Sequence, residues 1–327
     1  MNARQVDDAL QEWGNRVFNG GPVKKRIRKG MTGLRLLAPQ AAGAGSGRMD
    51  ASQVRRRVHS LVKRRPQVMV RISGGGKTIR HIKAHLDYIS RNGQLPLEDQ
   101  QGDKFTGKDD LAALRDEWRF GGFAIDDNAT TRQAFNIILS MPDGTRDVAV
   151  LRAAREFAAS EFQSYQYAMA LHTFDTDPDA VPSPNPHVHL CVKAIGLDGV
   201  RLNPRKADLQ RWREAFAERL REHGVECEAT PRLQRLQSRR GDKQSVRHKK
   251  ERGERFDRIG IAVPDPQRIE RARMAEAQVV AGYQGLAQTL AASEREEDRQ
   301  LALELALEVA AGTRRKARDR EVTRDRQ

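Results

Sequence analysis

The sequence predicts an α+β fold in which a central, mainly antiparallel β-sheet is flanked by helices. Two observations support this class. Runs of β-branched and alternating residues, which are typical of strands, stand between segments whose apolar residues recur at helical spacing. Two of the predicted strands are separated only by a proline-rich loop, and strands joined in this way favour an antiparallel hairpin.

The elements can be placed along the middle of the chain. The predicted strands are QVMVRIS (67–73), AFNIILS (134–140), YAMALH (167–172) and HVHLCVKAI (187–195). The predicted helices cover 77–92, 146–163 and 207–224, where apolar residues lie three or four positions apart. The resulting order is β-α, followed by β-α-β-β-α.

Composition divides the chain into three parts. Residues 1–65 are expected to form a basic, flexible arm, because blocks of Lys and Arg are joined there by Gly, Ala and Ser. Residues 66–232 hold the predicted sheet. Residues 233–327 are expected to form a basic linker and a helical C-terminal region, with one or two helices at 266–312 and a frayed, charged end.

The net charge limits the kind of partner. The formal charge of the 327 residues is +15, which suggests a polyanion, either nucleic acid or an acidic membrane surface. No run of about 18 apolar residues is present, so no membrane insertion is expected. The first residues lack the apolar segment of a secretory signal, and two cysteines do not make a disulfide framework. We therefore expect a cytoplasmic protein.

Three histidines are the first candidates for chemistry. Side chains alternate along a strand, so His187 and His189 share one face while the apolar residues between and after them take the other. In a hairpin, His172 closes one arm of the loop and His187 opens the other, so three imidazoles converge at one end of the sheet. Three histidines with open positions are a known catalytic metal arrangement. The alternative is three ordinary histidines at strand ends.

The loop between these strands adds acidic residues. Asp175 follows His172 by three residues and is the candidate to accept a hydrogen bond from that imidazole, which would fix its tautomer. The alternative is a solvated polar turn.

The segment SGGGKT (73–78) is not a Walker A motif, because the position that requires the first glycine is Arg71. It is interpreted as a strand-to-helix turn whose backbone N–H groups and Lys77 could contact a phosphate. In the helix that follows, Tyr88 lies off the apolar stripe, on the side that carries His81 and His85. This tyrosine is either an ordinary exposed residue or a phenol held toward a cleft.

A basic chain, three histidines at a sheet edge and a tyrosine outside the core fit one reaction well. A metal ion offsets the charge that develops on a phosphodiester, and the tyrosine oxygen attacks the phosphorus. The products are a phosphotyrosyl intermediate and a free 3′-hydroxyl.

At these residues the sequence resembles the plasmid-mobilisation relaxases, which belong to the histidine–hydrophobic–histidine (HUH) endonucleases, and it is similar to the relaxase of the Agrobacterium T-DNA transfer system. Three motifs carry the resemblance: RISGGGKTIRHIKAHLDYISRNGQLPL, NIILSMPDGT and HTFDTDPDAVPSPNPHVH. They occur in the expected order within residues 66–250. The third motif contains an insertion, DAVPSP, and Lys193 stands where the family commonly has asparagine.

The resemblance implies roles for individual residues within an HUH relaxase fold. It makes Tyr88 the nucleophile, lets Ser140 contact DNA near the scissile phosphate, and assigns His172, His187 and His189 to the metal. It implies Mg²⁺ or Mn²⁺, whereas three imidazoles alone would favour zinc or another transition metal. Further phosphate contacts are expected from basic residues flanking the first motif, namely Arg71, Lys77, Arg80 and Arg91.

The function implied is that of a DNA nickase that cuts one strand at an origin of transfer and stays attached to its 5′ end. The expected partners are single-stranded or locally melted DNA, relaxosome accessory proteins and a type IV coupling protein. Two alternatives remain open: a rolling-circle replication initiator of the same fold, and a non-catalytic DNA-binding accessory protein. A metal-dependent hydrolase of a small substrate is disfavoured by the charge.

Overall fold

The computed structural model describes residues 1–18, 48–177, 182–236, 253 and 265–324. Within these ranges the chain forms two compact units. One is the continuous segment 65–229, and the other is built from the described residues that precede and follow that segment.

The strands and helices are numbered in chain order. The strands are β1 (Met69–Gly74), β2 (Leu97–Asp99), β3 (Lys104–Phe105), β4 (Ala134–Ser140), β5 (Tyr167–His172) and β6 (His187–Lys193). The helices are α1 (Ala3–Phe18), α2 (Ala51–Val62), α3 (Ile79–Ile89), α4 (Gly107–Phe120), α5 (Asp147–Glu161), α6 (Lys206–Glu222), α7 (Pro266–Ala291) and α8 (Glu296–Arg324).

In the described part of segment 65–229, six strands form one sheet in the order β1-β4-β6-β5-β2-β3. Every neighbouring pair is antiparallel. Strands β5 and β6 are a hairpin in which His172 lies opposite His187. The predicted α+β class, the mainly antiparallel sheet and this hairpin are therefore confirmed.

The two faces of the sheet carry different helices. The face formed by the apolar residues of β4 and β6, among them Ile137 and Leu190, packs against α5 and α6, which contribute large residues such as Phe157 and Trp212. The opposite face carries small residues, Ala168, Ala170 and Cys191, together with Ala134, and packs against α3 and α4. Small side chains let α3 approach the sheet closely, so this face can hold a site between helix and strands.

Residues 93–133, for which no elements were predicted, contain β2, β3 and α4. The two strands are three and two residues long, which is too short to display an alternating pattern. The helix does carry a signal, because Leu111, Leu114 and Trp118 lie at helical spacing and are all buried.

Lys193, at the end of β6, is buried and ties the sheet to α4. Its ammonium group donates to the carbonyl of Gly121 at 2.9 Å and to the side-chain oxygen of Gln166 at 3.0 Å. The amide of Gln166 in turn donates to Glu117. Burial lowers the pKa of Lys193, and the Glu117 carboxylate acts in the opposite direction.

We expect Lys193→Met to destabilise the protein by about 2 kcal/mol, because one buried and one part-buried acceptor lose their donor while the volume is conserved. Chemical denaturation followed by far-UV circular dichroism measures the change. Lys108→Met, which alters an exposed lysine of α4, is the control and should change the unfolding free energy by less than about 0.5 kcal/mol. Equal stability of the Lys193 variant and wild type would contradict this role.

The second unit is a packed assembly of α1, α2, α7 and α8. Its buried core joins residues far apart in sequence, such as Leu10, Val54, Tyr283 and Leu305. Gly14 of α1 lies so close to Val54 of α2 that an added Cβ would meet its methyl group at 2.2 Å. Helix α2 begins with a capping box at Asp50.

This unit differs from the flexible arm expected for residues 1–65. The arm contains α1 and α2, whose apolar faces are buried against α7 and α8; residues 19–47 of the expected arm lie outside the described residues. One or two helices were predicted within 266–312, and two are present. Helix α8 continues to Arg324, through most of the last fifteen residues, which were expected to be frayed. No helix in the described ranges has the length and apolar character needed to cross a bilayer.

The two ends of segment 65–229 lie side by side. Gln67 and Glu228 form a parallel bridge, in which the Glu228 carbonyl accepts from the N–H of Val68 and the Glu228 N–H donates to the Pro66 carbonyl, both at 2.9 Å.

Candidate active site and metal centre

Helix α3 carries Tyr88 to the face of the sheet that holds the histidines. Its first turn is fixed by Thr78, whose hydroxyl accepts from the His81 N–H, and by Asp127, whose carboxylate accepts from the Ile79 N–H at 3.0 Å. The apolar stripe of the helix, including Leu86, is buried against the sheet. Tyr88 lies beside this stripe with 54% of its surface exposed, so its phenol faces solvent.

His172, His187 and His189 form one cluster at the end of β5 and β6 where the loop of the hairpin joins the two strands. One ring nitrogen from each lies within 4.8 Å of the others. The ring centroids are 4.6 Å apart for His172 and His189, 5.0 Å for His187 and His189, and 5.3 Å for His172 and His187. The convergence predicted from the hairpin is what the register of β5 and β6 produces.

Backbone carbonyls orient two of these rings. His172 Nε2 lies 2.7 Å from the carbonyl oxygen of Ile89, and His187 Nδ1 lies 2.9 Å from that of Asn185. A carbonyl only accepts, so these nitrogens carry the hydrogens, and the lone pairs of the neutral rings are on Nδ1 of His172 and Nε2 of His187. His189 Nδ1 is buried and has no hydrogen-bond partner within the described residues.

The cluster suits a divalent metal ion. Burial lowers the pKa of His172 to about 4 and that of His189 to about 2, and it also lowers the pKa of His187. The three rings are therefore neutral near pH 7, the form in which imidazole binds metals. Three neutral imidazoles with converging nitrogens, one of them buried without a partner, make a donor set that could bind such an ion.

Tyr88 contacts the cluster directly. Its ring centroid lies 5.7 Å from that of His189 and 6.3 Å from that of His172. The link is also made through the backbone, because the carbonyl that orients His172 belongs to Ile89, the residue after Tyr88. The tyrosine and the histidines are thus held in one arrangement by the end of α3.

Arg91 lies at the centre of this arrangement. Its guanidinium carbon is 5.2 Å from the centre of the Tyr88 ring, and its Nη2 is 3.3 Å from Nδ1 of His172 and 3.7 Å from the Asp177 carboxylate. Only 15% of the side chain is exposed. Arg91 is one of the four predicted phosphate contacts, and it is the one whose side chain contacts both Tyr88 and His172.

The expected hydrogen bond from His172 to Asp175 is absent. Both ring nitrogens of His172 contact other residues, and Asp175 is exposed in a 3₁₀ turn, Phe174–Thr176. The acidic residue beside the cluster is Asp177, which is half-buried, faces Arg91 and accepts from the N–H of Ser183 at 2.9 Å. The turn after His172 points Asp175 outward and Asp177 inward, which spacing alone does not reveal.

The remaining predicted DNA contacts divide into two groups. Ser140 is buried and lies opposite His187 in the sheet, and Arg71 is exposed on β1 opposite Ile138, which itself lies opposite His189. Across the strands of the sheet, Ser140 is therefore in line with His187, and Arg71 is in line with His189. Lys77 and Arg80 are exposed at the start of α3. Arg80 and Tyr88 are eight positions apart along the helix, a rise of about 12 Å.

His85 is a further member of the site, for which the sequence predicted only that it shares a side of the helix with Tyr88. Its ring is stacked near Tyr88 at 6.3 Å and lies 6.2 Å from His189, and its Nε2 is buried without a partner in the described part of the chain. Burial lowers its pKa to about 4. The sequence feature that could have indicated this role is the position of His85, one helical turn before Tyr88.

The amino-acid sequence is similar to that of a known protein family. Residues 100–225 match the family described as relaxase, MobA/VirD2-like, nuclease domain. The match contains Ser140 and the three clustered histidines, and it begins after Tyr88 and Arg91.

Individual relatives point to the same family. The chain is 31% identical over 191 residues to the T-DNA border endonuclease VirD2 of Rhizobium radiobacter, with 52% of this chain and 43% of the relative covered. It is 30% identical to the VirD2 proteins of Agrobacterium fabrum, with 41% of the relative covered, and of Rhizobium rhizogenes, with 42% covered. The chain thus spans less than half the length of these relatives.

Proposed function

We propose that this chain, which is similar to the MobA/VirD2-like relaxases across its nuclease domain, is a DNA relaxase that nicks one strand by tyrosyl transesterification. The observation that carries the proposal is the position of Tyr88, an exposed phenol whose ring lies 5.7 Å from the buried His189 of the three-histidine cluster. The formal charge of +15 suits a polyanionic substrate.

In the proposed reaction the Tyr88 oxygen attacks the phosphorus of the scissile phosphodiester. A bond forms between that oxygen and phosphorus, and the bond between phosphorus and the 3′-oxygen breaks. The phenol gives up its proton, and the departing 3′-oxygen gains one, so the products are a 5′-phosphotyrosyl strand and a 3′-hydroxyl. The ester is conserved, which allows the strand to be rejoined.

The residues around Tyr88 support this chemistry. His172, His187 and His189 would hold a divalent metal ion, for which we propose Mg²⁺ or Mn²⁺, and when bound it supplies charge stabilisation to the phosphodiester. Arg91 Nη2 lies 3.3 Å from His172 Nδ1, the nitrogen that carries the lone pair, so binding of the ion at that nitrogen would release the guanidinium to offer a second positive charge to the same phosphate. Ser140 and Arg71, which lie in line with His187 and His189 across the strands, extend the proposed contact surface for DNA.

We further propose that the protein stays attached to the 5′ end and accompanies the single strand out of the cytoplasm of a donor cell, together with relaxosome and coupling proteins. The similarity to T-DNA border endonucleases supports this role. We assign the contacts with such partners to the unit formed by α1, α2, α7 and α8.

The test uses single-stranded oligonucleotides that tile the DNA on both sides of the gene, each labelled at either the 3′ or the 5′ end. With Mg²⁺ or Mn²⁺, a 3′ label should shift to a protein-sized band on a denaturing gel, and a 5′ label should yield a shorter strand that a polymerase can extend. Cleavage without the protein-sized band would indicate a hydrolytic nuclease instead. Binding without cleavage would favour a DNA-binding accessory protein.

A further inference from the structure

We propose that the cavity beside Tyr88 is a binding site for the nucleobase next to the scissile phosphate, and that it selects bases with an exocyclic amino group. This inference rests on the proposed function and deepens it, because it assigns sequence selectivity to residues outside the histidine cluster.

The cavity has a volume of about 620 Å³, within the usual range of roughly 300–1,000 Å³ for ligand pockets. Its lining comes from the end of α3, the turn that follows, and the 3₁₀ turn after β5. The polar residues that matter for recognition are Asp87, Arg91, Asn92, Gln94, Asp175 and Asp177.

Two planar groups offer stacking surfaces. Tyr88 and Arg91 both line the cavity, and the Arg91 guanidinium lies 5.2 Å from the centre of the Tyr88 ring. Leu95 adds a half-buried apolar wall. Aromatic rings and guanidinium planes are the surfaces on which proteins stack unpaired bases, so these walls suit a flat heterocycle.

Carboxylates on the rim of the cavity favour a hydrogen-bond donor over a phosphate. Three carboxylates line it, and two of them face cations: Asp87 lies 3.7 Å from Arg115, and Asp177 lies 3.7 Å from Arg91. Carboxylates repel a phosphate and accept N–H groups. Adenine, cytosine and guanine carry an exocyclic amino group that donates, whereas thymine has none.

Two side-chain amides complete the rim. Asn92 and Gln94 are exposed at the cavity, and neither side chain makes a hydrogen bond within the ranges that the structure describes. Amides both donate and accept, which is why Asn and Gln pair with the edges of bases such as adenine. Asp87 and Asp177 already face arginines, so the amide oxygens of Asn92 and Gln94 are the acceptors that we assign to base selection.

The turn that presents them is held in an unusual conformation. Arg91, Asn92 and Gly93 have φ values of 52°, 57° and 87°, which only glycine adopts without cost. Backbone hydrogen bonds fix the turn, from the Asn92 N–H to the Asp87 carbonyl at 2.7 Å and from the Leu95 N–H to the Ser90 carbonyl at 2.8 Å. A fixed turn keeps Asn92 and Gln94 at the rim before any ligand binds.

The position of the cavity connects it to the reaction. Tyr88 lines the cavity and also contacts the histidine cluster, so a phosphate under attack by its oxygen lies next to the opening. Only one sugar separates a phosphate from its base. The base of a nucleotide flanking the nick is therefore the group that reaches this space.

The experiment uses the full chain, Mn²⁺ and a randomised pool of single-stranded DNA. Proteins with covalently attached strands are isolated, and sequencing of the attached strands and of the released fragments gives the base frequencies on both sides of the nick. The variants are Asn92→Ala, Gln94→Ala and the double variant. Asn128→Ala and Gln163→Ala, which alter exposed amides outside the cavity lining, are the matched controls.

For wild type and both controls we expect thymine to be depleted about tenfold at one flanking position. The double variant should lose this depletion at that position and keep the preferences elsewhere. Replacing the preferred base with an analogue that lacks the amino group should reduce adduct formation by wild type about tenfold and leave the double variant unaffected.

An unchanged preference in the double variant would overturn the inference while leaving the nicking activity established. If no adduct forms with any strand, the proposed function fails. The base frequencies among non-covalently bound strands then show whether the cavity selects a base. Equal frequencies for wild type and double variant would then overturn it, and a loss of thymine discrimination confined to the double variant would support it.

Discussion

Tyr88→Phe is expected to reduce formation of the protein–DNA adduct at least ten-thousandfold, because the variant lacks the only oxygen in the proposed nucleophile. The ring itself should remain beside Arg91 and His189, since it keeps the contacts that place it there. Affinity for single-stranded DNA should therefore stay within about twofold of wild type, the range of a minor surface substitution. Adduct bands on denaturing gels and fluorescence anisotropy measure the two quantities.

Tyr165→Phe is the matched control. Tyr165 is half-buried against Phe162 in the turn before β5, at the end of the sheet away from the histidines. Loss of its hydroxyl should leave adduct formation unchanged. If Tyr88→Phe still formed the adduct at a wild-type rate, the nucleophile would have to be another residue.

His187→Ala should abolish binding of the divalent metal ion and lower adduct formation about 100-fold or more. His187 is the least buried of the three histidines, so its removal disturbs packing less than removal of His172 or His189. Removing even an outer partner of a metal ligand commonly costs 10–100-fold, and the loss of a ligand should reach at least the upper end.

Thermal unfolding in increasing Mn²⁺ gives a measurement that does not depend on activity. An ion that binds only the folded protein stabilises it by about 2.7 kcal/mol at 100 times its dissociation constant, so the melting temperature of wild type should rise with Mn²⁺. The melting temperature of His187→Ala should not rise, whereas His81→Ala, which alters an exposed histidine of α3, should behave as wild type. An identical rise in all three proteins would place the ion elsewhere.

The parts of the fold that the sequence predicted are those with a pattern in their own residues. The alternation in β6 separates Val188 and Leu190 from His187 and His189, and this local feature fixes which face holds the site. The short strands β2 and β3 have no such pattern. Helix α1 has an apolar stripe, but the surface that buries it comes from α7, more than two hundred residues away, so its role was not evident.

The same distinction applies to the site. The histidines and Tyr88 were predicted because motif and spacing place them. The contact of Arg91 with His172, and the replacement of Asp175 by Asp177 as the inner carboxylate, depend on how the end of α3 meets the turn after β5. Residues 91 and 172 lie 81 positions apart, and no local pattern encodes their meeting.

Because Gln67 and Glu228 form a parallel bridge, the two ends of segment 65–229 are neighbours in space, and the segment is a module. Such a module can be inserted into a host protein, or exchanged for a related one, at the cost of two neighbouring junctions. The helical unit differs, because its two parts are separated in the sequence by the whole module. Both parts contribute residues to its core. A gene fragment lacking the first 64 codons would keep the module intact and leave α7 and α8 without the helices that cover them.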